Sequence, residues 1–133
     1  HPSIRELLGV PKNEWHDYRT HFWIGNVAFT HDLGHSGPNS LKQTLDAFGG
    51  CIVFGHTHRL GVYYDGEVEG SHRFAMNVGW MGDEQHVNYM HRAKMRSWQQ
   101  GFGWIEQRDG KSWCTAVPIL KHACVLNGKH FKL

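Results

Sequence analysis

Four turn signals punctuate the chain and constrain what it can become. Gly25-Asn26, Asp65-Gly66, Asp109-Gly110 and Asn127-Gly128 each stand between two runs rich in β-branched or aromatic residues. Asn-Gly and Asp-Gly take positive φ at low cost and so close tight hairpins, and a Gly at the first loop position does the same. Residues 19–30, 60–78, 101–120 and 123–132 therefore read as hairpins. A chain so divided cannot be a helical bundle. The pattern is α+β, mainly antiparallel hairpins with two or three helices between them.

The helices are fewer and short. Ser3 with Glu6 three residues on forms a capping box, and Gly9 stops a helix over 3–9. Pro11 starts a further helical turn through Trp15. Leu41, Leu45 and Phe48 recur at helical spacing over 39–48, with Asn39 as cap and Gly49-Gly50 as stop. Val87, Met90, Lys94 and Trp98 predict a longer helix over 84–98. Between these, Cys51-Ile52-Val53-Phe54 is a continuous apolar run of the kind that forms a buried strand. The aromatics Trp98, Phe102, Trp104 and Trp113 read as core.

With 133 residues the chain is one domain in size, and 40% apolar residues suffice for a packed core. A formal charge of +2 gives no general drive toward nucleic acid or membranes. No apolar run approaches the roughly 20 residues of a membrane helix. Cys51, Cys114 and Cys124 are an odd number without a CxxC pair, which fits a reducing cytoplasm better than a disulfide framework. The chain opens His1-Pro2-Ser3, which reads as a piece of something longer.

Twelve histidines is high for this length. A loop histidine is ordinarily a solvated or hydrogen-bonded side chain, and His16, His21, His72, His86, His91, His122 and His130 are read that way. His56 and His58 differ. They follow the apolar run 51–54 directly, in Gly55-His56-Thr57-His58, and His31 follows the second strand of the first hairpin. Strand ends hold ligands rigidly, Gly55 permits unusual dihedrals before the pair, and neutral imidazole binds zinc, iron, nickel, manganese and copper. These three are the candidate metal ligands. Their nearest ring nitrogens are expected within roughly 4–5 Å of one another, given metal–nitrogen bonds of about 2.0–2.1 Å. His35, four residues after His31, is a candidate second contact.

Residues 19–80, from Gly25-Asn26-Val27-Ala28-Phe29-Thr30-His31-Asp32 through Val53-Phe54-Gly55-His56-Thr57-His58-Arg59, resemble the C-terminal part of calcineurin-like metallophosphoesterases. His31 matches that family's lone histidine after a strand, Gly55–His58 matches its GHxH, and Asn77-Val78-Gly79 matches the Asn-x-Gly turn of its smaller members. The whole chain is similar to phage and prophage versions. The resemblance implies a fold that is half of the family's β-sandwich. It also implies divalent metals (Mn, Zn, Fe or Ni), two in the complete enzyme, with His31 and His56 on one and His58 on the other. Arg59, His35 and Asn77 are then candidate substrate contacts, for a phosphoester that includes nucleotides or nucleic acid. The basic run 91–96 is ordinarily a solvated face, and is the stretch to test for such a substrate.

The family's DxH, GDxxD and GNH motifs are missing from this chain. They supply the carboxylates that bridge the two metals, and neutral imidazoles cannot offset the repulsion of two dications a few ångströms apart. The expectation is a single domain that forms the C-terminal portion of a larger metallophosphoesterase, in the cytoplasm of a bacterial host or phage-infected cell. Alone it is an incomplete catalyst that needs an N-terminal segment in cis or in trans. The alternative is a non-catalytic remnant that binds or inhibits a protein or nucleic-acid partner.

Overall fold

The computed structural model describes residues 1–17, 19–87 and 97–133. Its centre is a five-stranded sheet built from β1 (His21–Ile24), β2 (Val27–Thr30), β3 (Ile52–Phe54), β4 (Leu60–Gly66) and β5 (His72–Val78), in spatial order β1-β2-β3-β5-β4. Two hairpins complete the strands: β6 (Gly101–Arg108) with β7 (Lys111–Pro118), and β8 (Ala123–Leu126) with β9 (Lys129–Lys132). The helices are α1 (Ile4–Leu7) and α2 (Ser40–Phe48), with single 3₁₀ turns at Lys12–Glu14 and Glu84–His86. The α+β class expected from the sequence is therefore present, with antiparallel and mixed sheets and two α-helices among the described residues. None of those helices is long and apolar enough to cross a membrane.

Three of the four expected turns close hairpins. Ile24 pairs with Val27 across Gly25-Asn26, Arg108 with Lys111 across Asp109-Gly110, and Leu126 with Lys129 across Asn127-Gly128. Both central residues of the last two loops have positive φ, as a type I′ turn requires. Asp65-Gly66 is a correction. β4 runs on through both residues, Gly66 pairs with His72, and the chain reverses over 67–71 with Gly70 at φ +80°. The cross-strand ion pair of Arg73 with Asp65, at 3.0 Å, helps keep Asp65 in the ladder.

The expected antiparallel sheet also needs correcting at its centre. β2 pairs with β3 and β3 with β5 in parallel, while β1–β2 and β4–β5 form the antiparallel flanks. Burial on both faces explains it. Ile52, Phe54, Ala28 and Ala75 point toward Leu41, Leu45 and Phe48 of α2. Val27, Val53, Phe74 and Met76 point the other way, toward Ile105 and Cys114 of β6–β7. A strand covered on both sides is apolar throughout, and the crossover through α2 lets it pair in parallel. Gly103 lies so close to Met76 that a β-carbon there would overlap the Met76 sulfur. Full burial of Leu45 alone is worth about 1.5–3 kcal/mol.

Smaller differences follow from side-chain alternation. Ile105 and Cys114 face the core as a cross-strand pair, so their neighbours Trp104 and Trp113 face outward, with 38% and 55% of their surface exposed rather than in the core. The capping box at Ser3 and Glu6 is present. Asn39 occupies the cap position of α2, but its side chain makes no capping bond; its carbonyl accepts from the Gln43 amide at 3.0 Å. The helix expected over 84–98 lies largely outside the described residues, as does the basic run 91–96.

Candidate metal centre

Three parallel strands end side by side, and the candidate residues lie at their C-terminal ends. His31 follows β2, Gly55–His58 follow β3, and Asn77 and Val78 close β5. The ladder continues one step beyond the strands, because the Gly55 amide donates to the His31 carbonyl at 3.0 Å. Ligands of open sheets with parallel strands characteristically bind at this end.

The structure brings His31 and His56 together. Nε2 of His31 stands 3.1 Å from Nδ1 of His56, and the rings meet at 69° with centroids 5.0 Å apart. Two nitrogens bonded to one ion at about 2.0–2.1 Å, and roughly 90–110° apart around it, stand about 2.8–3.4 Å from each other. The pair fits that separation. Without an ion, the same distance is a hydrogen bond when one of the rings carries the proton. On the far side of His56, Oδ2 of Asp32 lies 3.9 Å from Nε2, while Oδ1 accepts from the Gly34 amide at 2.7 Å. At 3.9 Å this carboxylate is near the imidazole without a hydrogen bond to it.

His58 faces different neighbours. Its ring stacks on Trp80 at 5.6 Å and meets the edge of Trp98 at 4.1 Å. Its Nδ1 is buried and makes no hydrogen bond to a described residue. Burial, and then the proximity of His56 and His31, push this imidazole below its usual range, which favours its neutral form. Among the described residues, no three His, Cys, Asp or Glu side chains are grouped as a metal would need.

The unusual dihedrals fall on the histidines rather than on Gly55. His56 has φ +63° and His58 φ +57°. The Thr57 amide bonds the Gly55 carbonyl at 2.6 Å, a three-residue γ-turn centred on His56. Non-glycine residues in this region are strained, and such strain concentrates at functional sites. The surroundings hold the turn. Thr57 is buried, its hydroxyl donates to Asn77 Oδ1 at 2.9 Å, and it accepts from the Arg59 amide at 3.1 Å. Nδ2 of Asn77 donates to Ser40 Oγ on α2 at 3.1 Å. Asn77, a candidate substrate contact by sequence, is 1% exposed and has both ends of its amide engaged. Arg59 is half-buried, and its carbonyl accepts from the Gly79 amide at 2.7 Å. His35 sits half-buried in the loop between β2 and α2.

A cleft of about 640 Å³ opens beside His31, between the sheet and β6–β7. Trp15, Phe22, Phe29, Val78 and Ile105 make most of it apolar, with His16 stacked on Phe22 at 4.2 Å. Sequence reasoning did not identify this cleft, nor the Ser40–Asn77–Thr57 chain. The chain joins residues 37 and 20 positions apart, and only the polar Asn77 inside an otherwise apolar strand hinted at it. Comparison with protein-family models, with curated proteins and with solved structures finds no match.

Proposed function

We propose that this chain is the histidine-bearing C-terminal portion of a metal-dependent phosphoester hydrolase of the calcineurin-like type. The observation that carries the reading is the approach of His31 and His56 to 3.1 Å at the ends of adjacent parallel strands. These two residues would hold a divalent ion such as Mn, Zn, Fe or Ni, with the Asp32 carboxylate 3.9 Å from the far nitrogen of His56 adding negative charge beside the site. A bound ion supplies Lewis-acid polarisation of a phosphoryl oxygen. The apolar cleft beside His31 would receive the organic part of the ester, and Arg59 would draw in its phosphate, as suits a nucleotide or nucleic-acid substrate.

The chain by itself supplies one imidazole pair and one neighbouring acid. The carboxylates that would join two metals belong to an upstream segment, in cis or in trans, so the isolated chain is a poor catalyst. The three unpaired thiols, Cys51, Cys114 and Cys124, suit a reducing cytoplasm.

The test is calorimetric titration with Mn²⁺ of the chain and of its His31→Ala and His56→Ala variants. Binding by the parent and loss in both variants is the expected result; equal affinity in all three would overturn the assignment.

A second reading, a non-catalytic module that binds or inhibits a protein or nucleic-acid partner, is favoured by the exposed apolar residues Trp23 and Ile24 on the edge strand β1, each at least half exposed. A parent chain that folds fully and binds no Mn²⁺ would support it.

A further inference from the structure

We propose that Asn77, acting through Thr57, is the positioning residue that aims His56 at His31, and that Ser40 anchors it to α2. The inference rests on the metal-site reading above but concerns atoms of this chain alone.

The γ-turn at His56 and the left-handed His58 are not conformations that Gly55-His56-Thr57-His58 adopts unaided. Something must fix the residue between them, and Thr57 is the buried one. Its hydroxyl works in both directions, donating to Asn77 Oδ1 and accepting from the Arg59 amide. The acceptor, Asn77, cannot wander. It lies in β5 with backbone partners on both sides, Phe54 on β3 and Gly61 on β4. Its amide orientation is fixed because Nδ2 is committed to Ser40 Oγ. Ser40, Thr57 and Asn77 are 1%, 9% and 1% exposed, so water is a poor substitute for any of these bonds. The line Ser40–Asn77–Thr57 thus runs from the first turn of α2, across the end of β5, to the residue next to His56. His56 itself is exposed, with ring contacts to His31 and, at 3.9 Å, to Asp32, so the backbone beneath it bears on where its ring points.

Three variants separate positioning from mere stability. Thr57→Val keeps the shape and removes both bonds; Thr57→Ser keeps both bonds; Val27→Ala loosens the core under the same sheet without touching the line. In the metal-free protein, the nuclear Overhauser contact between the His31 and His56 rings should vanish in Thr57→Val and persist in Thr57→Ser and Val27→Ala. Mn²⁺ affinity should fall about 10–100-fold in Thr57→Val, the usual consequence of losing support behind a ligand, and recover in Thr57→Ser. Ser40→Ala, which removes only the far anchor, should show a smaller loss in the same direction and covers the case of a Thr57→Val chain that does not fold. Unchanged ring contact in folded Thr57→Val or in Ser40→Ala would overturn the proposal. So would an equal loss of affinity in Val27→Ala, since stability alone would then explain it. A parent chain that binds no Mn²⁺ would sink the metal reading, while the ring contact still decides the positioning role.

Discussion

Gly79→Ala tests how the end of β5 is locked against the histidine loop. Gly79 has φ +69°, and its amide holds the Arg59 carbonyl at 2.7 Å. A β-carbon there would come within 2.6 Å of the Gln99 carbonyl oxygen and 3.3 Å of that of Gly101. The conformational cost of a side chain in the left-handed region is about 1–2 kcal/mol. Crowding two backbone carbonyls adds about 1–3 kcal/mol, as overpacking does elsewhere. The Gln99 carbonyl cannot simply retreat, because it accepts from the Trp80 amide at 3.1 Å. Together the loss is about 2–5 kcal/mol, a large share of a total stability of about 5–15 kcal/mol. Urea unfolding followed by tryptophan fluorescence should then show the midpoint lowered by roughly 1–2.5 M at a slope of about 2 kcal/mol per M. Gly110→Ala is the control. Gly110 has φ +72° in a tight turn, and a β-carbon there meets nothing within 4 Å, so it reports the conformational cost alone. If the Gly79 variant shifts the midpoint no more than the Gly110 variant does, the crowding argument is wrong. If neither moves it, the backbone argument is wrong as well.

His31→Ala and His56→Ala should each abolish Mn²⁺ binding while moving the urea midpoint little, since both side chains are exposed; a large stability loss would mean that the pair is structural. On the proposed phosphoesterase reading, hydrolysis of an aryl phosphodiester by these 133 residues with added Mn²⁺ should be negligible and should appear when a segment carrying the metallophosphoesterase DxH and GDxxD motifs is supplied in cis or in trans. Robust turnover by the chain alone, lost in His58→Ala, would show that the visible residues suffice. Tyr64 offers a pH test. Desolvation, and then its hydrogen bond to Cys114, push the phenol up from 10.0 to about 12. A raised folded pKa stabilises the protein fully below pH 10 and loses that contribution as pH rises toward 12. Urea titrations between pH 9 and 12 should show a decline that is shallower in Tyr64→Phe; the buried thiols Cys51 and Cys114, also raised, account for the remainder. An identical decline in the variant would refute the assignment.

Local chemistry settled much of this molecule. Gly25-Asn26, Asp109-Gly110 and Asn127-Gly128 turn where they do because their own φ preferences favour a tight loop. Ser3 with Glu6 and the left-handed Gly49 bound their helices for reasons contained within four residues. The order of strand, histidine, helix, strand and histidine pair in 27–58 was likewise legible. Other features depended on distant neighbours. Asp65-Gly66 has turn chemistry yet stays in the ladder, where Arg73 pairs with it from the opposite strand. The parallel pairing of β2, β3 and β5 follows from α2 covering one face and β6–β7 the other, and no short window contains all of those elements. The unusual dihedrals that Gly55 would permit fall instead on His56 and His58, beside a threonine held by an asparagine 20 residues further on. The sequence determined which residues are competent to bind a metal, because that is a property of each side chain. Only the tertiary structure decided that His31 meets His56 while His58 turns to Trp80 and Trp98, because direction is set by packing among residues far apart in the chain.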